Sequence, residues 1–249
     1  MHPERPAFLH KMLFRFSIGR ITVSTPMKEE YERRHKRDIK LIPSMLPFKE
    51  SEKSKSNVRT SFGIKNDRIV LLFVGTVKDI KGPDLLFDAF FSLGTDYIEN
   101  NRLHLVYAGD GPMLKEIRAI VNEKGLKKHV TFLGHVQHRN ICDVYRAADI
   151  FIIPSLMEAR PLSLSEALFN GLPVIGSDIP TIKNIIKSGN NGLLFKTGSP
   201  DHLAKTIIKM VTDCKSRLLF GRNAKKYYRA NFSYKSMVDK YYNYFLDCV

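Results

Sequence analysis

The sequence predicts an α/β fold: a doubly wound, Rossmann-like parallel sheet with helices on both faces. Three observations predict it. Six short apolar runs between residues 69 and 195 are each separated by a stretch of helical period. The runs are continuously apolar rather than alternating, as in strands buried on both faces. Apolar residues make up 43% of the 249, enough for one sizeable core and too many for global disorder.

The elements follow in order. IVLLFV (69–74) is a strand and PDLLFDAFFSL (83–93) a helix. LHLVYA (103–108) is the next strand, and GPMLKEIRAIVNEKG (111–125) a helix that stops at Gly125. VTFL (130–133) is a strand, RNICDVYRAAD (139–149) a helix and IFIIP (150–154) a strand. PLSLSEALFNG (161–171) is a helix ended by Gly171, PVIGS (173–177) a strand, PTIKNIIKSG (180–189) a helix and GLLF (192–195) the last strand. SPDHLAKTIIKMVTD (199–213) opens on a Ser-Pro start signal and runs as a helix.

The flanks differ. Residues 1–50 hold a candidate helix, FLHKMLFRFSIG (8–19), a short strand ITVS (21–24) and a charged helix from near Pro26. KEEYERRHKRDIK (28–40) is read chiefly as a solvated helix face, with a membrane-surface role as the alternative. KESEKSKSN (49–57) lacks apolar period and reads as a linker, its core residues 51–57. FSYKSMVDKYYNYFLDCV (232–249) carries Phe232, Val238, Tyr241, Tyr242, Phe245 and Val249 at helical spacing, a helix that docks on protein.

Composition excludes several classes. No run of eighteen apolar residues exists, and the first twenty residues lack the apolar block and cleavage site of a signal peptide. Cys142, Cys214 and Cys248 are an odd number without CxxC spacing, as expected for reduced thiols in the cytoplasm. The net charge of +15 suits polyanions or phosphorylated small molecules. No recognition helix or aromatic RNA platform is evident, which argues against nucleic acid.

A doubly wound sheet binds ligands outside the carboxyl ends of its strands. In PSLMEARPLSLSEAL (154–168), Pro161 belongs in the first turn of a helix. Glu158 then lies in the loop after a strand, and Glu166 one to two turns into the next helix. Between them, the amides of about Leu162 to Leu164 are the unpaired donors of a helix start, a phosphate site. Such pieces suit a ligand with an anionic middle and hydroxyl-rich ends. The plain alternative is that Glu158 is a loop charge and Glu166 an electrostatic cap. In VGTVKDIKGPD (74–84), Gly75 allows close approach and Lys81 could neutralise a diphosphate; otherwise Gly82 and Pro83 are turn punctuation and Lys81 is solvated. AGDGPMLKEI (108–117) lacks the third glycine of a dinucleotide fingerprint and reads as a tight turn. In FLGHV (132–136), His135 is a lone histidine, and backbone contact to a planar base is the favoured use. Asp-x-Asp pairs and His/Cys clusters are absent, so no metal is expected.

VGTVKDIKGPDLLFDAF, LVYAGDGPMLKEI, VTFLGHV, YRAADIFIIPSLMEARPLSLSEALFNGLPVIGSDIPTIKNII and NNGLLF occur in this order. The series resembles the donor-binding domain of retaining glycosyltransferases of family 4, the group 1 glycosyltransferases, over roughly residues 58–215. The resemblance implies a GT-B architecture with a nucleoside-diphosphate sugar as donor substrate and no cofactor. By similarity Glu158 faces the transferred sugar and Glu166 accepts from the ribose hydroxyls. The backbone from Arg160 through Pro161, Leu162 and Ser163 to Leu164 lines the sugar and diphosphate, Lys81 binds phosphate and Val136 touches the base. The family retains anomeric configuration, with the departing phosphate helping to take the acceptor's proton. Thr76, after Gly75, stands where the family usually has an arginine; Arg160 is a candidate substitute.

The resemblance also implies that most of an N-terminal domain is absent. Residues 1–50 would be its remnant, 58–231 the donor domain and 232–249 a crossover helix. His2 and His10 are not credible replacements for that domain's catalytic histidine. Exposed apolar surface then implies self-association or a partner chain. The acceptor, whether glycan, lipid or protein, is unspecified, and FLHKMLFRF allows peripheral membrane contact. Competing functions are a non-catalytic nucleotide-sugar-binding module and a nucleotide-sugar epimerase.

Overall fold

The computed structural model describes residues 19–23, 25–42, 48–232 and 234–248. Nearly all of the candidate helix 8–19, the histidines His2 and His10, Phe48's neighbours 43–47 and Val249 lie outside them. The chain divides into two compact units, Met1–Leu46 with Ser233–Val249, and Pro47–Phe232.

In the first unit, strands β1 (Ile21–Thr22) and β2 (Lys40–Leu41) pair in parallel around helix α1 (Thr25–His35). The surface of α1 is laced by pairs at helical spacing: Glu30 with Arg33 (2.6 Å) and Arg34, and Lys28 with Glu32 (3.3 Å). The charged run is therefore a self-paired helix face. The C-terminal helix, numbered below, belongs to this unit; its Tyr244 hydroxyl accepts from the Arg20 amide at 2.6 Å.

The second unit carries α2 (Lys55–Ser61), β3 (Ile69–Val74), α3 (Pro83–Phe91), α4 (Thr95–Asn100), β4 (Leu103–Ala108), α5 (Leu114–Glu123), β5 (Val130–Gly134), α6 (Ile141–Ala147), β6 (Ile150–Ile153), α7 (Leu162–Phe169), β7 (Val174–Ser177), α8 (Pro180–Lys183), β8 (Gly192–Phe195), α9 (Pro200–Thr212) and α10 (Cys214–Asn231). Helix α11 (Tyr234–Asp247) follows in the first unit. All six strands of the large sheet run parallel in the order β5-β4-β3-β6-β7-β8. The winding direction reverses between β3 and β6, and a sheet of this kind takes its ligand at that point, outside the strands' carboxyl ends. Leu71, Leu105, Ile150, Ile152 and Ile175 join Leu86, Phe90, Leu203 and Ile207 of the covering helices in one core.

All six expected strands and the first four of the six expected helices, with the last, occupy their places within a few residues. The helix expected over 180–189 stops at Lys183. Asn191, wholly buried, accepts from the Lys187 amide (2.8 Å) and donates to the Ile185 carbonyl (3.1 Å). That side chain offers the backbone a turn in place of a helix. The linker reading of 51–57 needs correction. Ser54 accepts from the Asn57 amide and caps α2. Ser51 and Lys53 bond Asp143, and Lys55 and the buried Arg59 converge on Asp149, each at 2.6 Å. The segment is thus fastened to the sheet domain by ion pairs and hydrogen bonds. Helix α10, absent from the sequence reading, starts at an Asp213 cap and buries only Phe220, Gly221, Ala224 and Tyr228.

Candidate active site

The loops after β3 and β6 meet at the reversal point because one residue has no side chain. Gly82 holds φ +62°, and a Cβ there would stand 2.5 Å from the Pro154 carbonyl oxygen. This approach brings Lys81 to Glu158, with Nζ 2.7 Å from Oε1. The Ser155 hydroxyl donates to the same oxygen at 2.9 Å, and the Ser177 hydroxyl donates to the Ser155 carbonyl at 2.6 Å. Glu158's side chain is only 6% exposed, and Lys81's 26%. One oxygen of this enclosed carboxylate thus takes both a cation and a hydroxyl donor.

Helix α7 begins directly beyond. Pro161 occupies its N-cap, no side chain caps it, and its first turn holds no acid. The Leu162 amide bonds the Arg160 carbonyl (3.0 Å) and the Ser165 amide the Pro161 carbonyl (3.3 Å). The Leu162 amide is therefore not the unpaired donor expected of it. The Ser163 and Leu164 amides have no backbone acceptor among the described residues. They form the positive end of the helix, suited to an anion.

Glu166 lies on the second turn of α7 and is buried. The Tyr145 hydroxyl donates to its Oε2 at 2.7 Å and reaches the Ser163 carbonyl oxygen at 3.1 Å. His138 Nδ1 stands 4.0 Å from Oε1. Burial pushes the Glu166 carboxyl above the usual range; the Tyr145 bond and the His138 charge pull it back. Burial, the Glu166 charge and that hydrogen bond push the Tyr145 phenol well above its ordinary value, so it stays a donor. A cavity of about 310 Å³ opens against this group, lined by Phe48, Lys49, His138, Arg139, Cys142 and Glu166 among others.

The structure therefore joins Lys81 directly to Glu158 and sets Glu166 in a second cluster with Tyr145 and His138. Gly75 and Thr76 follow β3, Thr76 exposed; Val136 is half-buried in the turn after β5; Arg160 and Pro161 precede α7. Ser155, Ser177, Tyr145 and His138 are additions to the sequence reading. Tyr145 sits at a core-facing helical position, where an aromatic residue signals packing alone, whereas Ser155 follows a strand and was open to the same argument as Glu158. Among the described residues no group of three or more His, Cys, Asp or Glu could hold a metal ion, and no helix is long and apolar enough to cross a membrane.

The family model described as glycosyl transferases group 1 matches residues 54–227. A glycosyltransferase of Methanocaldococcus jannaschii is 29% identical over 231 residues, covering 90% of this chain and 58% of its own length. The UDP-Gal:alpha-D-GlcNAc-diphosphoundecaprenol alpha-1,3-galactosyltransferase of Escherichia coli is 29% identical over 75% of this chain and 48% of its own. The chain spans about half the length of the curated relatives it matches. The crystal structure of Anabaena HepE in complex with UDP and glucose superposes with a TM-score of 0.85 at 20% identity, over 97% of this chain and 66% of that one. Sucrose-phosphate synthase from Thermosynechococcus elongatus gives 0.80 at 23% identity, over 99% and 63%. These superpositions bear on fold alone, a Rossmann-like sheet domain of the GT-B type.

Proposed function

The chain belongs to the group 1 glycosyl transferases, and from that premise we propose that its sheet domain binds a nucleoside-diphosphate sugar and serves transfer of the sugar to an acceptor hydroxyl with retention of configuration. One observation carries the reading: a part-buried Lys81–Glu158 pair and an uncapped helix start lie where the strand order reverses. In this reading Lys81 leaves Glu158 for the donor's diphosphate, whose other oxygens take the Ser163 and Leu164 amides. Glu158 turns to the hydroxyls of the sugar, and Glu166 accepts from the ribose. Val136 abuts the base, and Arg160 adds charge where Thr76 supplies none. The bond from the anomeric carbon to the diphosphate oxygen breaks, and the acceptor oxygen bonds the same face. The acceptor's proton passes to the leaving diphosphate, whose charge is spread over Lys81 and the helix terminus. No metal or cofactor enters the scheme.

Calorimetric titration with UDP, GDP and ADP without metal tests the donor site. Saturable binding of one of them is expected, weakened tenfold or more in Glu166→Ala, about 1.4 kcal/mol. Failure of all three to saturate would sink the reading. Binding with no sugar transfer by the protein, once acceptors are supplied, would leave a nucleotide-sugar-binding module instead.

A further inference from the structure

We infer that Tyr145 is a positioning residue for the nucleotide: its hydroxyl fixes the Glu166 carboxylate and the first turn of α7 in one arrangement, leaving Oε1 as the oxygen offered to the ligand. The inference rests on the donor reading above and adds to it a residue that reading does not use.

The geometry is specific. One phenol oxygen lies 2.7 Å from Glu166 Oε2 and 3.1 Å from the Ser163 carbonyl oxygen. Ser163 belongs to the turn whose amides face the anion, and Glu166 lies three residues on. A single hydroxyl therefore ties the ribose acceptor to the phosphate-binding turn. The anchor is rigid, since Tyr145 is 1% exposed and its ring lies 5.9 Å from that of Phe151 on β6. Packing alone would be served by phenylalanine, and a buried hydroxyl needs a partner. The partner here is a carboxylate, which makes the bond a charge-assisted one.

The consequence is a signature in pH. Glu166 accepts from ribose hydroxyls only through unprotonated oxygens. Affinity for the nucleotide then falls on the acid side as Glu166 takes a proton. Its carboxyl is already raised by burial, and the Tyr145 bond and the His138 charge oppose that rise. Removing the hydroxyl lets the carboxyl rise further, so the acid limb moves to higher pH. The other charged or titratable groups around the cavity are His138 and Arg139 of the turn before α6, Cys142 of α6 and Lys49 ahead of α2. None of them is altered by Tyr145→Phe, so they contribute equally to both profiles.

The test is titration of the full chain and of Tyr145→Phe with UDP, GDP and ADP between pH 5 and 8. Tyr145→Phe is expected to bind about tenfold more weakly at neutral pH, with its acid limb displaced upward. In Glu166→Gln, which has no titration to shift, the same substitution is expected to add less than a twofold loss. Unchanged affinity and limb in Tyr145→Phe, or an equal loss at every pH, would overturn the inference and leave Tyr145 a packing residue. Additive losses in the double variant would do the same. Should Tyr145→Phe not fold, 3-fluorotyrosine placed at 145 carries the test. Its more acidic hydroxyl donates more strongly and is expected to move the limb downward, and an unmoved limb overturns the inference. Absence of binding by the unaltered chain to all three nucleotides removes the donor reading itself, an outcome distinct from a silent Tyr145.

Discussion

At the scale of the residue, the Lys81–Glu158 pair separates ligand binding from folding. Both side chains are largely enclosed, and Ser155 supplies Glu158's other bond. Lys81→Met keeps the stem and removes the charge. It leaves a buried carboxylate with one hydroxyl donor, a stability loss of about 1–2 kcal/mol. If Lys81 moves to the diphosphate, the variant also loses affinity for UDP roughly 10- to 30-fold, in line with a charge-assisted bond of about 2 kcal/mol. Its affinity for uridine, which has no phosphate, is expected to stay within twofold of the unaltered chain. Calorimetry with the two ligands checks this; equal losses for both would assign Lys81 to structure only. The pair is partly legible in sequence, because an ionisable residue just past a buried strand stands at the ligand end of a parallel sheet. Their mutual contact is not legible. It depends on Gly82 closing against Pro154, which is a matter of three dimensions. Tyr145 illustrates the opposite case: its helical position matches a core residue, and only the bond to Glu166 distinguishes it.

At the scale of the element, the central strands are plain in the text because both their faces are buried and nearly every residue is apolar. Where charge or a buried amide governs, the text misleads. Helix α2 is held by Lys55 and Arg59 on Asp149, and the segment after α8 is turned by Asn191; neither leaves an apolar period. The outer strand pair gives a further instance. His104 of β4 bonds the Thr131 hydroxyl of the edge strand β5 at 2.8 Å. Burial, with help from the Arg68 charge, lowers its pKa from 6.5 to about 4. The fold therefore favours the neutral ring. Unfolded chains bind a proton as pH drops below about 6.5, while the folded chain resists until about 4. Stability is fully present above that window and is lost across it, by roughly 3 kcal/mol from this group alone. Urea denaturation at pH 7 and at pH 4.5 is expected to show a smaller fall in His104→Gln than in the unaltered chain, by about 2–3 kcal/mol. Parallel falls would show that the ring is not held neutral.

At the scale of the whole molecule, the candidate site draws on one unit. Lys81, Val136, Tyr145, Ser155, Glu158, the first turn of α7 and Glu166 all lie within Pro47–Phe232. So does the core formed by the sheet and its covering helices. The segment ahead of α2 is fastened to the same unit by Phe48, whose ring lies 5.7 Å from Phe169 and 6.0 Å from Tyr228, and by Glu50 paired with Lys225 at 2.6 Å. At its other end the Phe232 ring meets Tyr227 edge-on and Tyr228 at a tilt. A chain cut to residues 47–232 keeps every one of these contacts. It is expected to unfold in a single cooperative transition and to bind UDP within threefold of the full chain. The sugar-transfer step asks for more, since an acceptor must be held against the anomeric carbon while the diphosphate departs. The cut chain is therefore expected to bind the donor and not turn it over. Calorimetry and a transfer assay on the same preparation separate the two requirements. A tenfold loss of UDP affinity on cutting would place a donor contact in the other unit. Undiminished transfer by the cut chain would mean that its own surface, beside Glu158, already receives the acceptor.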